Sequence, residues 1–201
     1  MRVSSADLNT VLCDVGDVVL MFDHAVAADI EARHGLAQDT LLRTTLKSPV
    51  ASLAMVGAVG TQQWWRATAD VVGDAAVTEW LDYHGDLNHE VVECLREARG
   101  RGVRVVLLSN ATERLLDDLA FHHLGDLADA VFCSAEIRLA KPEPAAYRYA
   151  ARHGGFALDR ALYVDDTPSW VVAGSRLGLQ GHVFESAQIL VKDLKAHGLL
   201  P

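Results

Sequence analysis

Four stretches of this 201-residue chain carry side chains able to act as nucleophiles, acids, bases or anion and cation ligands. In VLCDVGDVVL (11–20), an apolar run stops at Asp14, with Gly16 and Asp17 directly after it. VRVVLLSN (103–110) closes on Ser109 and Asn110, RLAKPEP (138–144) carries Lys141, and ALYVDD (161–166) closes on Asp165 and Asp166. A carboxylate at the tip of a buried run loses hydration and needs a partner. A lysine and a divalent cation are the partners that this set of residues would recruit. A carboxylate is also a competent nucleophile toward phosphorus, because an acyl-phosphate intermediate divides a slow hydrolysis into two faster steps.

Such residues act together only if the fold brings them to one place. The runs TVLCDV (10–15), VRVVLLSN, DAVFCS (129–134) and ALYVDD are short, rich in Val and Leu, and do not alternate with polar residues. That pattern predicts strands covered on both faces, as in a parallel sheet. LQGHVF (179–184) is a fifth candidate. Helical patterns lie between them. Asn88 is placed to cap a helix that Gly100 and Gly102 end, and Leu115, Leu116 and Leu119 form a stripe. Pro144 suits a first helical position, and Thr167 is a candidate cap before Pro168. Strand–helix alternation predicts an α/β, doubly wound, Rossmann-like parallel sheet, and ligands of such sheets gather at the carboxyl edge of the strands. Asp14, Ser109, Asn110, Lys141, Asp165 and Asp166 would all converge there. Residues 23–86 read as helices throughout, so we expect an α-helical cap inserted into a core made of 1–22 and 87–201.

In this order, DVGDVV, VVLLSN, AKPEPAAYRYA and YVDDTPSWVVAGSRLG resemble the four motifs of the haloacid dehalogenase superfamily of hydrolases. The resemblance runs from about residue 10 to 185, and the insertion is similar to the small α-helical cap type. Within the superfamily the chain looks most like the branch of sugar-phosphate phosphatases and the amino-terminal phosphatase domain of soluble epoxide hydrolase. The resemblance implies an Mg²⁺-dependent phosphatase acting on a small phosphate monoester, with a sugar phosphate as first guess, through an aspartyl-phosphate. It implies Asp14 as nucleophile and, with Asp166 and the Gly16 carbonyl, as metal ligand. Asp165 would bind a metal-bound water or orient the ligand shell. Ser109 and Asn110 would hold the phosphate at a helix N-terminus, and Lys141 would neutralise nucleophile and phosphoryl group.

One position departs from the pattern. Phosphatases of the superfamily usually carry a second aspartate two residues after the nucleophile, where this chain has Gly16. General acid–base help is worth about 10² to 10⁴ in rate. Asp17 and Asp23 are the nearest replacements, with turn or surface roles as the alternative. Two rival readings are a 2-haloacid dehalogenase, which attacks carbon without metal, and a binding or regulatory protein that keeps the fold without activity. Gly16, Val18 and the Asp165–Asp166 pair disfavour the dehalogenase. Trp64 and Trp65 fall in the cap, and helical geometry, about 100° between neighbours, points at most one of them toward the site.

Composition bounds the rest. With 18 basic and 27 acidic residues the net charge is −9, which argues against nucleic-acid binding. The cysteines Cys13, Cys94 and Cys133 are widely spaced and read as reduced core residues of a cytoplasmic protein. MRVSSADLNT lacks the apolar stretch of a signal peptide, and no run reaches the length of a membrane span. A soluble monomer or homodimer is expected, with a phosphorylated metabolite as its partner.

Overall fold

The computed structural model describes residues 7–201; the first six residues, and with them most of the expected leaderless terminus, lie outside the described residues. The order is β1 (Thr10–Cys13), β2 (Leu20–Met21), α1 (His24–Arg33), α2 (Thr40–Leu46), α3 (Pro49–Met55), α4 (Thr61–Val72), α5 (Asp74–Asp82) and β3 (Asp86–Leu87). There follow α6 (His89–Gly100), β4 (Arg104–Ser109), α7 (Arg114–Phe121), β5 (Ala130–Cys133), α8 (Ser134–Ile137), α9 (Pro144–Gly154), β6 (Ala161–Asp165), α10 (Pro168–Ser175), β7 (Gln180–Val183) and α11 (Ala187–Ala196). Five strands form one sheet in the order β5-β4-β1-β6-β7, and every pairing is parallel.

The strands read as continuous apolar runs because each divides its side chains between two cores. Val11, Val105, Leu107, Leu162 and Val164 enter a core closed by Val91 and Leu95 of α6, Leu119 of α7 and Leu190 of α11. Leu12, Val106, Leu108 and Tyr163 point the other way, onto Tyr147 of α9 and Val171 of α10. Covering both faces removes the polar alternation that a one-sided sheet would show. It also leaves the strand tips as the place where polar side chains from β1, β4 and β6 can meet.

Local signals explain several helix ends. The Asn88 side chain accepts from the Val91 amide at 3.4 Å, and Pro144 opens α9, whose chain reverses at Gly155 with φ +70°. Thr167 holds the N-cap position of α10 but does not cap it; its hydroxyl donates to Asp166 instead, at 3.3 Å. Leu116, expected on the buried stripe of α7, is 45% exposed; Leu115 and Leu119 carry that contact.

Helices α1–α5 occupy residues 24–82 and bury their own apolar clusters, one around Ile30, Leu41 and Val77 and one around Ala51, Ala54 and Trp64. The chain enters and leaves this layer through β2 and β3, an antiparallel ribbon pairing Leu20 with Leu87 and Met21 with Asp86. The two crossings therefore lie side by side. At the far side the layer rests on α8. Ser134 Oγ donates to the Met55 carbonyl, and Gly57 (φ +63°) comes so near Ala135 that a β-carbon there would lie 2.1 Å from its carbonyl oxygen.

Candidate active site

Asp14 follows the central strand and is held on three sides. Its amide donates to the Val164 carbonyl at 2.9 Å, Oδ1 accepts from the Val15 amide at 2.7 Å, and Oδ2 lies 2.8 Å from Lys141 Nζ. Lys141 is buried and its ammonium also meets Asp165 Oδ2 at 2.7 Å. One ammonium thus sits between two buried carboxylates from different strands. Its ammonium lies 4.8 Å from the centre of the Trp170 ring, a cation–π contact on the remaining side.

Asp14, Asp165 and Asp166 each offer a carboxylate oxygen, all within 4.8 Å of one another. Three carboxylates against one ammonium leave the cluster net negative. Burial pushes the Asp14 carboxyl up to about 6, and the Asp165 charge adds to this against the opposing pull of Lys141 and the Val15 amide. Asp166 is also raised, by burial and by the charges of Asp165 and Asp17. Hard oxygen donors that repel one another at this spacing fit a magnesium ion, which takes carboxylate, carbonyl and water oxygens.

Two of the expected site residues are bonded within the site itself. Both ends of the Asn110 carboxamide bond the main chain of Lys141: Nδ2 donates to its carbonyl at 2.7 Å and Oδ1 accepts from its amide at 2.8 Å. Asp165 accepts from Lys141 Nζ and the Tyr163 hydroxyl at Oδ2, and from the Thr167 amide at Oδ1 at 2.8 Å. Both therefore position Lys141 and the loop after β6. Tyr163 gave no sign of this in the sequence, because it sits inside an ordinary apolar run. Ser109 is buried at the end of β4 and lines the cavity described below, with Asp14 and Asp166.

The turn after Asp14 is tight. Val19 and Leu20 amides both donate to the Val15 carbonyl at 2.9 Å, and Asp17 takes a left-handed conformation at φ 53°. A β-carbon on Gly16 would meet nothing within 4 Å, so the position has room for a side chain it does not carry. Asp17 Oδ1 accepts from the Phe22 amide at 3.2 Å and Asp23 Oδ1 caps α1 by accepting from the Ala25 amide at 2.8 Å. Both carboxylates bond the local backbone, and Asp17 also lines the cavity described below.

Above the strand tips, between sheet and helical layer, lies a cavity of about 400 Å³. Trp64 and Trp65 both line it, with ring centres 3.9 Å apart, contrary to the expectation that helical geometry would send one away. Phe22, Trp80, Tyr83 and Arg114 also line it and were not singled out from the sequence. Burial pushes up the thiols of Cys13, Cys94 and Cys133, which are unpaired and buried, so none is a ready nucleophile. No helix among the described residues is long and apolar enough to cross a membrane.

A parallel sheet with a lysine and three carboxylates gathered at its carboxyl edge defines a class of α/β hydrolases. The family model of haloacid dehalogenase-like hydrolases matches residues 8–178, and the chain belongs to that family. Among curated relatives it is 34% identical over 115 residues to phosphatase MT3486 of Mycobacterium tuberculosis, covering 53% of this chain and 52% of that protein. It is 30% identical over 94 residues to the sesquiterpene phosphatase astK of Aspergillus oryzae, covering 46% and 48%. The match thus spans about half the length of these relatives. Among solved structures, the HAD family enzyme bt-2542 of Bacteroides thetaiotaomicron, in complex with magnesium and inorganic phosphate, superposes with a TM-score of 0.76 at 17% identity, over 89% of this chain and 95% of that one. The L-2-haloacid dehalogenase RSc1362 superposes with a TM-score of 0.71 at 21% identity, over 94% and 100%. These likenesses establish the fold.

Proposed function

We propose that the chain is a Mg²⁺-dependent phosphatase that hydrolyses small phosphate monoesters through an aspartyl-phosphate on Asp14. The observation that carries this reading is the convergence of Asp14, Asp165 and Asp166 within 4.8 Å, with Lys141 Nζ bonded to two of them. Relatives named as phosphatases support it from outside the structure.

Asp14, Asp166 and the Gly16 carbonyl would hold the ion, which when bound would supply positive charge against the carboxylates and the substrate phosphate. Lys141, fixed by Asn110 and Asp165, presents its ammonium at the Asp14 oxygen. That placement offsets charge as an Asp14 oxygen bonds to phosphorus. The ester P–O bond breaks with its electron pair on the alcohol oxygen, which takes a proton from water. Water then attacks the phosphorus of the aspartyl-phosphate, releasing inorganic phosphate and the Asp14 carboxylate; the proton it sheds balances the one taken up by the alcohol. Ser109 would hold a phosphate oxygen at the start of the loop to α7. Residues 23–86 would serve as a cap that excludes bulk water over this edge. Three buried thiols suit a reducing compartment such as the cytoplasm.

The test is to incubate the chain with p-nitrophenyl phosphate, and separately with an L-2-haloacid, each with Mg²⁺ or with chelator. Phosphate release that needs Mg²⁺, without halide release, is the expected result. Halide release that ignores the chelator, or no phosphate release under any condition, would overturn the reading.

A further inference from the structure

The cavity that opens onto Asp14, Ser109 and Asp166 is walled on its other side almost wholly by hydrocarbon. All four tryptophans of the chain, Trp64, Trp65, Trp80 and Trp170, line this one space. Leu42, Leu46 and Met55 line it as well. The rings come from three helices, α4, α5 and α10, so their convergence is a property of the fold and not of one amphipathic stretch.

The polar groups on the helical side are few. Of the lining residues between 24 and 83, His24 and Tyr83 alone have polar heads besides the indole N–H groups. The Tyr83 hydroxyl accepts from the Asp23 amide at 2.9 Å and donates to Asp86 Oδ2 at 3.0 Å. From the core side, the Arg114 guanidinium is held by the Tyr83 carbonyl at 2.7 Å and Asp118 at 3.1 Å. Trp64 Nε1 is buried and has no partner; with the other indole N–H groups and the His24 ring it makes up most of what this wall has to offer a polar ligand. A sugar pressed against such a wall would lose water from several hydroxyls with almost nothing to replace it. A flat apolar ring loses no hydrogen bonds and gains stacking against indoles. The volume of about 400 Å³ is in the range of small-molecule sites.

We propose that the natural substrate is the phosphate monoester of an apolar, ring-bearing alcohol, its phosphate at the strand tips and its ring among the four tryptophans. This rests on the phosphatase reading and replaces the sugar phosphate that the family resemblance implies.

The test separates the two ideas by measuring binding apart from turnover. Calorimetric titration of the native chain with Mg²⁺ present compares 1-naphthylmethyl phosphonate, n-hexyl phosphonate and a hexose phosphonate, none of which can be hydrolysed. The naphthyl compound is expected to bind at least about tenfold tighter than the hexose, with a negative heat-capacity change from buried apolar surface. A hexose phosphonate binding as well or better overturns the proposal, and an n-hexyl compound matching the naphthyl one overturns its ring. Leu46 is 45% exposed, so Leu46→Asn should fold normally; it is expected to cut the naphthyl preference by about tenfold, and an unchanged preference overturns the placement. Turnover of 1-naphthyl phosphate is read separately. If no ester is hydrolysed, the phosphatase reading fails while the binding ratio still decides which chemistry the cavity prefers.

Discussion

Asn110 grips the main chain of Lys141 at both ends, through bonds of 2.7 and 2.8 Å, and so ties the end of β4 to the loop before α9. The lysine that meets Asp14 is placed by a residue that touches neither Asp14 nor its ammonium directly. Asn110→Ala removes both bonds and frees that loop. We expect kcat for p-nitrophenyl phosphate to fall about 10- to 100-fold, the usual effect of losing a partner that orients a site group. The Mg²⁺ concentration for half-activation should move little, which separates a positioning role from a ligand role.

Lys141→Met leaves Asp14 and Asp165 buried without their shared ammonium. Breaking a buried pair from one side costs about 3–5 kcal/mol. The deficit should depend on pH. Lys141 holds the Asp14 carboxyl down against burial, so without it the folded carboxyl rises further above its unfolded value. A raised carboxyl costs stability as pH climbs through the interval between its unfolded and folded values, and costs nothing below both. Urea unfolding without metal should therefore show a large deficit at pH 8 that shrinks toward pH 5.

If the chain is the Mg²⁺-dependent phosphatase proposed above, the same carboxyl sets the acid limit of metal binding. With Asp14 raised to about 6, a proton competes with the ion below that pH. The Mg²⁺ concentration for half-activation should rise about tenfold per pH unit below 6 and flatten above it. Titrating activity with Mg²⁺ from pH 5 to 8 checks the slope; a flat profile would place the competing proton elsewhere.

Gly57 is predicted to be intolerant of a side chain. Alanine there would push a β-carbon to 2.1 Å from the Ala135 carbonyl oxygen, at a φ of +63° that L-residues rarely adopt. Either the backbone yields or the helical layer lifts off α8. Gly57→Ala should cost about 1–3 kcal/mol by urea unfolding, as overpacking does. It should also raise KM by moving Met55 and its neighbours in the cavity wall.

Much of this arrangement was readable before any coordinates. The runs ending at Asp14, Ser109 and Asp165 are strands because both faces are covered, and a run covered on both faces looks apolar throughout. The strand order β5-β4-β1-β6-β7 is not written in those runs, but it sets β1 between β4 and β6 and so brings their polar tips together. The β2–β3 ribbon was not legible, since strands of two residues leave no periodic trace. Helix α11 has a legible signal: Ser186 caps it, and Ala187, Leu190 and Leu194 recur at helical spacing. The side-chain roles of Asn110, Tyr163 and Asp165 depend on which partner each reaches across the sheet, which spacing along the chain does not encode. The meeting of four tryptophans likewise joins α4, α5 and α10, distant in sequence and close only in the fold.

Whether Asp14 attacks phosphorus is read from the native chain and Asp14→Asn compared at saturating Mg²⁺. The substitution keeps size and removes the nucleophilic charge, so kcat for p-nitrophenyl phosphate should fall by at least about 10³-fold, as for other nucleophile replacements. Retention of kcat within about tenfold would exclude Asp14 as the nucleophile.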